Sequence, residues 1–376
     1  MKNVKNTVCF LILTLVFALA VSCSSAGEDG DVNNSGNNSS NGVSVYVAGG
    51  WADDETMAYC YWKNGVRYDL PLPAGYEIDD EAIGIAVYEG SVYVSGIVFS
   101  GDDVIPCYWK DGTRFDLLIP ADAYADRESS SITVYEGSVY VLGTYYTGSY
   151  ETYNSTACYW KDVVRFDLPV LAGDAAGAYG IAVSGGSVYV SGVYWSADGL
   201  IPCYWKDSVR FDLPVPAGND GVASEIAVSG GSVYVSGIYY SGSWSDGTFQ
   251  STACYWKDGI RIDLPVPAEA KGEASGITVS GGSVYVSGAY YTGNWEIPCY
   301  WKDGVRFDLP VPAGNIAGAY GIAVSGGSVY VVGGGINIDL NQQPSTGYYW
   351  KDGVRIDLPV PVGAQVYAGG ITVVEN

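Results

Sequence analysis

Between residues 43 and 376 the chain alternates apolar and polar positions in short runs that end at glycine- or proline-rich turns. Residues 187 to 192 read S-V-Y-V-S-G, with Val188 and Val190 on one side and Tyr189 on the other. Strict alternation of this kind predicts a half-buried β-strand. No segment of this region has the 3.6-residue period of an amphipathic helix, so the pattern predicts an all-β fold.

One repeating unit, taken at residues 180 to 213, contains four such runs. Gly185-Gly186 and Asp207-Ser208 are two-residue turn signals of the kind that join antiparallel strands. Pro214 follows the last run and ends it, because proline has no N–H to donate to a strand ladder. The predicted strands are a (180–184), b (187–192), c (203–206) and d (209–213). A four-stranded antiparallel meander of this kind is one blade of a β-propeller.

The unit recurs seven times. The motif Y-W-K, followed by R-x-D-L, appears at intervals of 45 to 51 residues at Trp62, Trp109, Trp160, Trp205, Trp256, Trp301 and Trp350. A period of this size indicates a propeller or an array. The region opens on a strand b (43–50) and ends on a strand a (370–375), so the C-terminal strand is expected to complete the N-terminal blade. This closure leaves no open sheet edge and predicts a seven-bladed ring.

Neighbouring units differ in the residues just before strand c, and the difference alternates along the chain. Three units carry I-P before the cysteine of strand c, at Ile105, Ile201 and Ile297. The units between them carry S-T, at Ser155, Ser251 and Ser345. Adjacent blades are therefore not expected to be equivalent.

Residues 1–22 have the pattern of a signal peptide, with Lys2 and Lys5 before an apolar run that is too short for a membrane span. The sequence A-V-S-C at residues 20 to 23 resembles the lipobox of bacterial lipoproteins, and this resemblance implies acylation of Cys23. Ser24 resembles the outer-membrane sorting signal. The alternative is an ordinary signal peptide with a chance cysteine. Residues 23–42 are almost entirely polar and predict a disordered tether, which leaves 43–376 as the propeller.

Charge and cysteine usage narrow the functions. The chain has 18 basic and 41 acidic residues, and 14 of the basic ones belong to the repeat, so we expect no nucleic-acid partner. There is no histidine. Cys60, Cys107, Cys158, Cys203, Cys254 and Cys299 occupy one equivalent position of strand c. Equivalent positions in neighbouring blades are too far apart for a disulfide, so these residues are predicted to be packing residues. Neither a metal site nor a cofactor is expected.

The a–b and c–d turns lie on one face of the predicted ring and hardly vary. The b–c and d–a loops lie on the opposite face and differ between copies, which is where binding residues tend to be found. These loops contain exposed aromatic and acidic side chains that suit a protein or glycan ligand. The candidate ligand-binding residues are Tyr150, Tyr153, Trp195, Trp244, Phe249, Trp295, Asp198, Asp246 and Glu296.

The expected function is a monomeric, envelope-anchored binding module without catalytic activity. Without histidine, the Ser-His and Cys-His nucleophile pairs are excluded. A glycoside hydrolase that uses loop carboxylates stays open, as does an envelope spacer without a ligand. The repeats resemble bacterial extracellular repeat proteins of the HAF type, through a glycine-rich strand followed by an aromatic-Trp-x-x-G stretch. That resemblance implies export and a propeller, and it implies no activity.

Overall fold

The computed structural model describes residues 42–53, 56–78, 84–126, 131–148, 154–170, 175–197, 199–242, 248–293, 295–312, 315–337 and 346–376. The predicted signal peptide, the tether and Cys23 lie outside this part of the chain. The chain divides into residues 1–38 and 39–376, and every described residue belongs to the second unit. Among the described residues, no helix has the length and apolar character that a membrane span requires.

The described residues form thirty strands in seven antiparallel sheets, which are numbered here as blades 1 to 7. Blade 1 starts with β1 (Val43–Ala52), β2 (Met57–Lys63) and β3 (Val66–Asp69). Blade 2 contains β4 (Glu77–Ile78), β5 (Ile85–Tyr88), β6 (Ser91–Ser100), β7 (Asp103–Lys110) and β8 (Thr113–Asp116). Blade 3 contains β9 (Ala123–Ala125), β10 (Ile132–Tyr135), β11 (Ser138–Thr147), β12 (Asn154–Lys161) and β13 (Val164–Asp167).

The remaining blades have an unbroken inner strand. Blade 4 contains β14 (Ala175–Ser184), β15 (Ser187–Ser196), β16 (Gly199–Lys206) and β17 (Val209–Asp212). Blade 5 contains β18 (Gly221–Ser229), β19 (Ser232–Ser241), β20 (Gln250–Lys257) and β21 (Ile260–Asp263). Blade 6 contains β22 (Lys271–Ser280), β23 (Ser283–Thr292), β24 (Trp295–Lys302) and β25 (Val305–Asp308). Blade 7 contains β26 (Asn315–Ser325), β27 (Ser328–Asn337), β28 (Thr346–Lys351) and β29 (Val354–Asp357), and the chain ends with β30 (Gln365–Glu375).

The sheets form the predicted seven-bladed ring. Within each sheet the strands follow chain order, and the inner strands of neighbouring blades contact one another. The closing sheet has the order β3-β2-β1-β30, and Val43 pairs with Glu375 at its end. The C-terminal strand therefore completes the N-terminal blade, as the sequence predicts.

Strands b and c are longer than the alternation predicts. In blade 4 strand b continues to Ser196 and strand c begins at Gly199, so the connection between them is only two residues long. The other I-P blades have equally short b–c connections, 101–102 and 293–294, whereas the S-T blades have connections of six to eight residues, 148–153, 242–249 and 338–345. Units with I-P before strand c therefore have short b–c connections, and units with S-T there have long ones.

The apolar core lies between adjacent blades. All seven repeated tryptophans are at most 1 % exposed, and each donates its Nε1–H at 2.9–3.1 Å to a carbonyl oxygen in the connection that leads from the preceding blade. The six strand-c cysteines are free and fully buried in the interblade clusters, as predicted. The acceptor is the proline of the D-L-P motif in six blades and Leu118 in blade 2.

Candidate functional site

The repeated arginine and aspartate of strand d form an ion pair at the outer edge of each blade. We call this ion pair, together with the aromatic ring beneath the arginine, the clamp. In blade 6, Arg306 Nε lies 2.8 Å from Asp308 Oδ1, and the guanidinium carbon lies 4.6 Å from the centre of the Tyr290 ring. The Tyr290 hydroxyl donates to Asp308 Oδ2 at 3.2 Å. The same ion pair recurs in every blade, with an aromatic ring beneath each arginine. Because the same contacts recur in all seven blades, we assign these residues to the scaffold.

Blade 7 builds its clamp differently. Gly335 stands where blades 3 to 6 carry the clamp tyrosine, and Tyr348 stands where six blades carry cysteine. Arg355 packs over the Tyr348 ring at 4.0 Å, so this ring replaces the missing one. A Cβ on residue 335 would lie only 2.7 Å from the Tyr348 hydroxyl oxygen, which explains the glycine. That hydroxyl is fully buried and has no hydrogen-bond partner among the described residues.

Two glutamates of blade 6 lie on the side of the sheet that faces blade 7. Tyr291 in β23 pairs across the sheet with Glu296 in β24, and its hydroxyl donates to Oε2 of Glu273 in β22 at 3.0 Å. The same hydroxyl is in hydrogen-bond contact with Glu296. One phenol therefore connects two half-buried carboxyl groups, and we call Glu273, Tyr291 and Glu296 the carboxyl pair site.

Burial and the charge of the neighbouring carboxylate favour the protonated forms of the two glutamates. Loss of hydration, and then the charge of Glu273, raise the pKa of Glu296 to about 7. Loss of hydration also raises the pKa of Glu273. Burial raises the pKa of Tyr348 to about 12, with a smaller contribution from Glu296 across the blade interface. Among the described residues, no lysine or arginine acts on the pKa of either glutamate.

A surface cleft of about 290 Å³ opens beside this site, between β24 and the connection to blade 7. Trp295 stands at its edge with half of its surface exposed, and Glu296 forms part of its wall. Val311, Pro312 and Asn315 line the opposite side. The cleft thus combines an aromatic face, an apolar wall, a carboxyl group and an amide.

Of the residues predicted to bind a ligand, the structure brings Trp295 and Glu296 together. Both lie in β24 rather than in a loop, because the strand begins earlier than predicted. Trp195 is half-buried in β15, which is also a strand position. Phe249 is half-buried, stacks on Tyr240 at 5.4 Å and lies 4.9 Å from Lys271 Nζ. Tyr150, Tyr153, Trp244, Asp198 and Asp246 lie outside the described residues.

Glu273 and Tyr348 are not among the sequence candidates. A signal for each exists in the repeat itself, where they depart from the other copies. Glu273 corresponds to Gly177, Val222 and Gly318 in neighbouring inner strands, and Tyr348 replaces a cysteine. A residue that departs from its repeat at a buried position is therefore a useful marker of a local function.

No family model matches the chain, and no curated protein matches it. Among solved structures, the chain is similar to an acylaminoacyl peptidase from Pyrococcus horikoshii, with 10% identity and a TM-score of 0.48 over 86% of this chain and 51% of that one. A Lactobacillus plantarum protein has 12% identity and a TM-score of 0.41 over 88% of this chain and 99% of that one. A β-fructofuranosidase from Bombyx mori has 10% identity and a TM-score of 0.37 over 79% and 93%. The chain spans about half the length of the peptidases. These low similarities carry no inference about activity.

Proposed function

We propose that this protein is a binding module without catalytic activity and that it recognises a glycan at the Trp295 cleft. The observation that carries the proposal is the half-exposed Trp295 beside a cleft whose wall includes a carboxyl group. Exposed large aromatic rings at a concave surface offer stiff contact area with little entropy cost. The apolar face of a sugar ring packs on such a surface while its hydroxyls reach the polar wall.

The size of the cleft favours a glycan over a protein partner. Ligand pockets usually measure about 300–1,000 Å³, and the cleft lies at the lower end of this range with about 290 Å³. A standard protein interface needs about 800 Å² on each partner. One or two sugar rings fill a cleft of this size. The net charge of −23 favours neutral or cationic glycans over anionic ones.

We further propose that acylated Cys23 holds the module at the bacterial envelope, with the outer membrane as its location. The support is the lipobox-like sequence at residues 20 to 23 and the polar tether that follows it. Two or more acyl chains give stable anchoring. Replacement of Cys23 by serine should abolish labelling by a palmitate analogue and release the protein from the membrane fraction. Retention of both in the variant would contradict the anchor.

A glycoside hydrolase is the second candidate, and Glu296 favours it. A general acid works best when its pKa lies near the working pH, and the pKa of Glu296 is about 7. If the protein releases new reducing ends from an oligosaccharide and Glu296→Gln abolishes this activity, the protein is a glycoside hydrolase and not a non-catalytic binding module.

The proposal is tested with β-1,4-linked hexamers of glucose, N-acetylglucosamine and glucosamine, titrated into the full chain by calorimetry. We expect at least one hexamer to bind and Trp295→Ala to weaken it at least tenfold. The matched control is Phe307→Ala, since Phe307 is an exposed aromatic of the same blade on β25, away from the cleft. Failure of all three hexamers to bind at millimolar concentration, or equal loss in both variants, would overturn the proposal.

A further inference from the structure

We propose that the carboxyl pair site and Tyr348 bind the ammonium group of an amino sugar, so that the ligand of the Trp295 cleft is a glycan with free amino groups. This inference rests on the proposed glycan-binding function and names its ligand class. It follows from three features of the interface between blades 6 and 7: an uncompensated carboxyl pair, an unpartnered buried hydroxyl and an adjoining open cleft.

Within the described part of the chain, the carboxyl pair forms no ion pair, unlike the repeated carboxylates of the scaffold. Every clamp aspartate is paired with an arginine at 3.0 Å or less. Glu273 and Glu296 instead contact one phenol, Tyr291, which has a single hydrogen and donates it to Glu273. The contact of the same phenol with Glu296 favours the charged form of that carboxyl group, but burial and the charge of Glu273 outweigh it and raise the pKa. The two carboxyl groups thus share one hydrogen-bond donor, which leaves acceptor oxygens for the N–H groups of a ligand cation.

Tyr348 provides the second, independent observation. Its ring packs with Tyr285 and Leu309 of blade 6, which places it in the same interblade space as the carboxyl pair. Among the residues that the structure describes, its fully buried hydroxyl has no hydrogen-bond partner, and neither has Oγ1 of Thr346, two residues earlier on β28. Residues two apart on a strand share a face. A buried hydroxyl without a hydrogen-bond partner destabilises the fold, and a ligand that donates to it would remove this cost.

The chemistry of the site fits an ammonium group. Its three N–H donors match two carboxylates and one hydroxyl oxygen. A calcium ion requires six to eight oxygen ligands, and the described residues contain no cluster of three or more metal-ligating side chains. The site is therefore matched to a monovalent organic cation.

A ligand in the cleft can reach the carboxyl pair site through Glu296, because Glu296 belongs to both. Its carboxyl group is part of the carboxyl pair and part of the cleft wall beside Trp295. A sugar ring stacked on Trp295 can therefore direct a substituent towards Glu296. Glucose, N-acetylglucosamine and glucosamine differ at one such substituent, which is a hydroxyl, an acetamide and an amine.

The three hexamers are compared by calorimetry at pH 6, where the amine is charged. We expect the glucosamine hexamer to bind at least tenfold more tightly than the glucose hexamer. Glu273→Gln, at a residue that does not line the cleft, should remove this preference and leave binding of the glucose hexamer within threefold. Glu296→Gln should remove the preference as well. Tyr348→Phe keeps the ring and removes the hydroxyl, and it should lower the preference two- to fivefold.

A control separates this site from the general attraction of an acidic protein for a polycation. Glu77→Gln removes one exposed carboxylate in blade 2, on β4, and should leave the preference unchanged. Equal binding of the three hexamers, or an equal loss in Glu77→Gln and Glu296→Gln, would overturn the inference while the glycan-binding proposal stands. If no hexamer binds, the proposed function fails, and this inference fails with it.

Proton release gives a second readout. The titratable groups facing Glu296 are Glu273 on β22, Tyr291 on β23 and, from blade 7, Tyr320 on β26 and Tyr348 on β28. An ammonium that contacts both carboxylates displaces the proton of Glu296. Calorimetry in buffers of different ionisation enthalpy should show release of about one proton with the glucosamine hexamer at pH 6, and none with the glucose hexamer. Absence of proton release, or release that persists in Glu296→Gln, would contradict the displacement.

Discussion

Trp62 donates its Nε1–H to the carbonyl oxygen of Pro359 at 2.9 Å, although 297 residues separate them along the chain. The six other repeated tryptophans make the same bond to the preceding blade over 36 to 42 residues. The seam between blade 7 and blade 1 is therefore built like every other blade interface. Ring closure rests on this bond as well as on the pairing of β1 with β30.

Because the interfaces are equivalent, loss of the tryptophan bond should lower the free energy of unfolding equally at the seam and within the ring. Trp62→Phe leaves the Pro359 carbonyl without its donor and should lower the free energy of unfolding by about 1–3 kcal/mol. Trp205→Phe removes the matching bond to Pro169, also 2.9 Å long, and should cost the same amount. Urea unfolding of both variants checks this. A seam variant as stable as the unmodified protein, beside a destabilised Trp205→Phe, would show that the closure depends on β30 alone.

Val163 predicts a stabilising substitution. It occupies the second position of a c–d turn at φ +66°, where five other turns have glycine at φ +78° or +79°. The left-handed region costs a non-glycine residue about 1–2 kcal/mol. Val163→Gly should therefore raise the unfolding free energy by about 1 kcal/mol. In the reverse change, Gly259→Val, the added Cβ meets no atom within 4 Å, so backbone strain should lower the unfolding free energy by a similar amount. A destabilised Val163→Gly variant would contradict this reasoning.

The strand-c cysteines should be inert in the folded protein. Burial raises the pKa of all six thiols above the ordinary range, so the reactive thiolate is scarce. Treatment with iodoacetamide at pH 8 should leave these six residues unmodified, and the same treatment in urea should modify all of them. Peptide mass spectrometry distinguishes the two results, and rapid modification without urea would refute the interblade packing.

Glu225 predicts a pH dependence of stability. It stands on the inner strand β18 where the neighbouring inner strands have Gly180 and Gly276, and its Oε1 accepts a hydrogen bond from the Ile226 N–H at 3.1 Å. Desolvation raises its pKa from 4.5 to about 7. Between these values the folded state binds more protons at this site than the unfolded state, so its contribution to the unfolding free energy falls as pH rises and levels off above 7.

Thermal unfolding between pH 4 and 8 measures this effect as a difference between variants. Glu225→Gln should lose part of the decline in Tm that the unmodified protein shows between pH 4.5 and 7. Glu77→Gln, which changes an exposed carboxylate on β4, should keep the full decline. Superimposable curves for the protein and Glu225→Gln would assign the decline to other groups.

The fold was predictable because the same strand and turn signals recur in all seven units. Alternation, turn residues and the spacing of the tryptophans determine the blades, and the incomplete units at the two ends determine the closure. Strand lengths were not predictable in the same way. Pro202 counts against a strand in sequence rules, yet it lies in β16 opposite Val193, and its carbonyl accepts the Leu213 N–H at 2.8 Å.

The candidate site was predictable only in part. Trp295 and Glu296 were among the sequence candidates because they are aromatic and acidic residues of a predicted b–c loop. Glu273 lies 23 residues earlier on another strand, and only the register of β22, β23 and β24 brings it to the same phenol. In the sequence, Tyr348 is only a replacement for cysteine. The structure shows that its hydroxyl occupies the space that a side chain at Gly335 would need.

The most direct test of the account is whether a sugar contacts Trp295. The chain has eleven tryptophans, and ¹⁹F NMR of protein labelled with 5-fluorotryptophan reports on each of them. The resonance that disappears in Trp295→Phe belongs to Trp295. We predict that this resonance shifts when the glucosamine hexamer is added, while those of the buried repeat tryptophans stay in place. A Trp295 resonance that does not move under saturating hexamer would contradict the account.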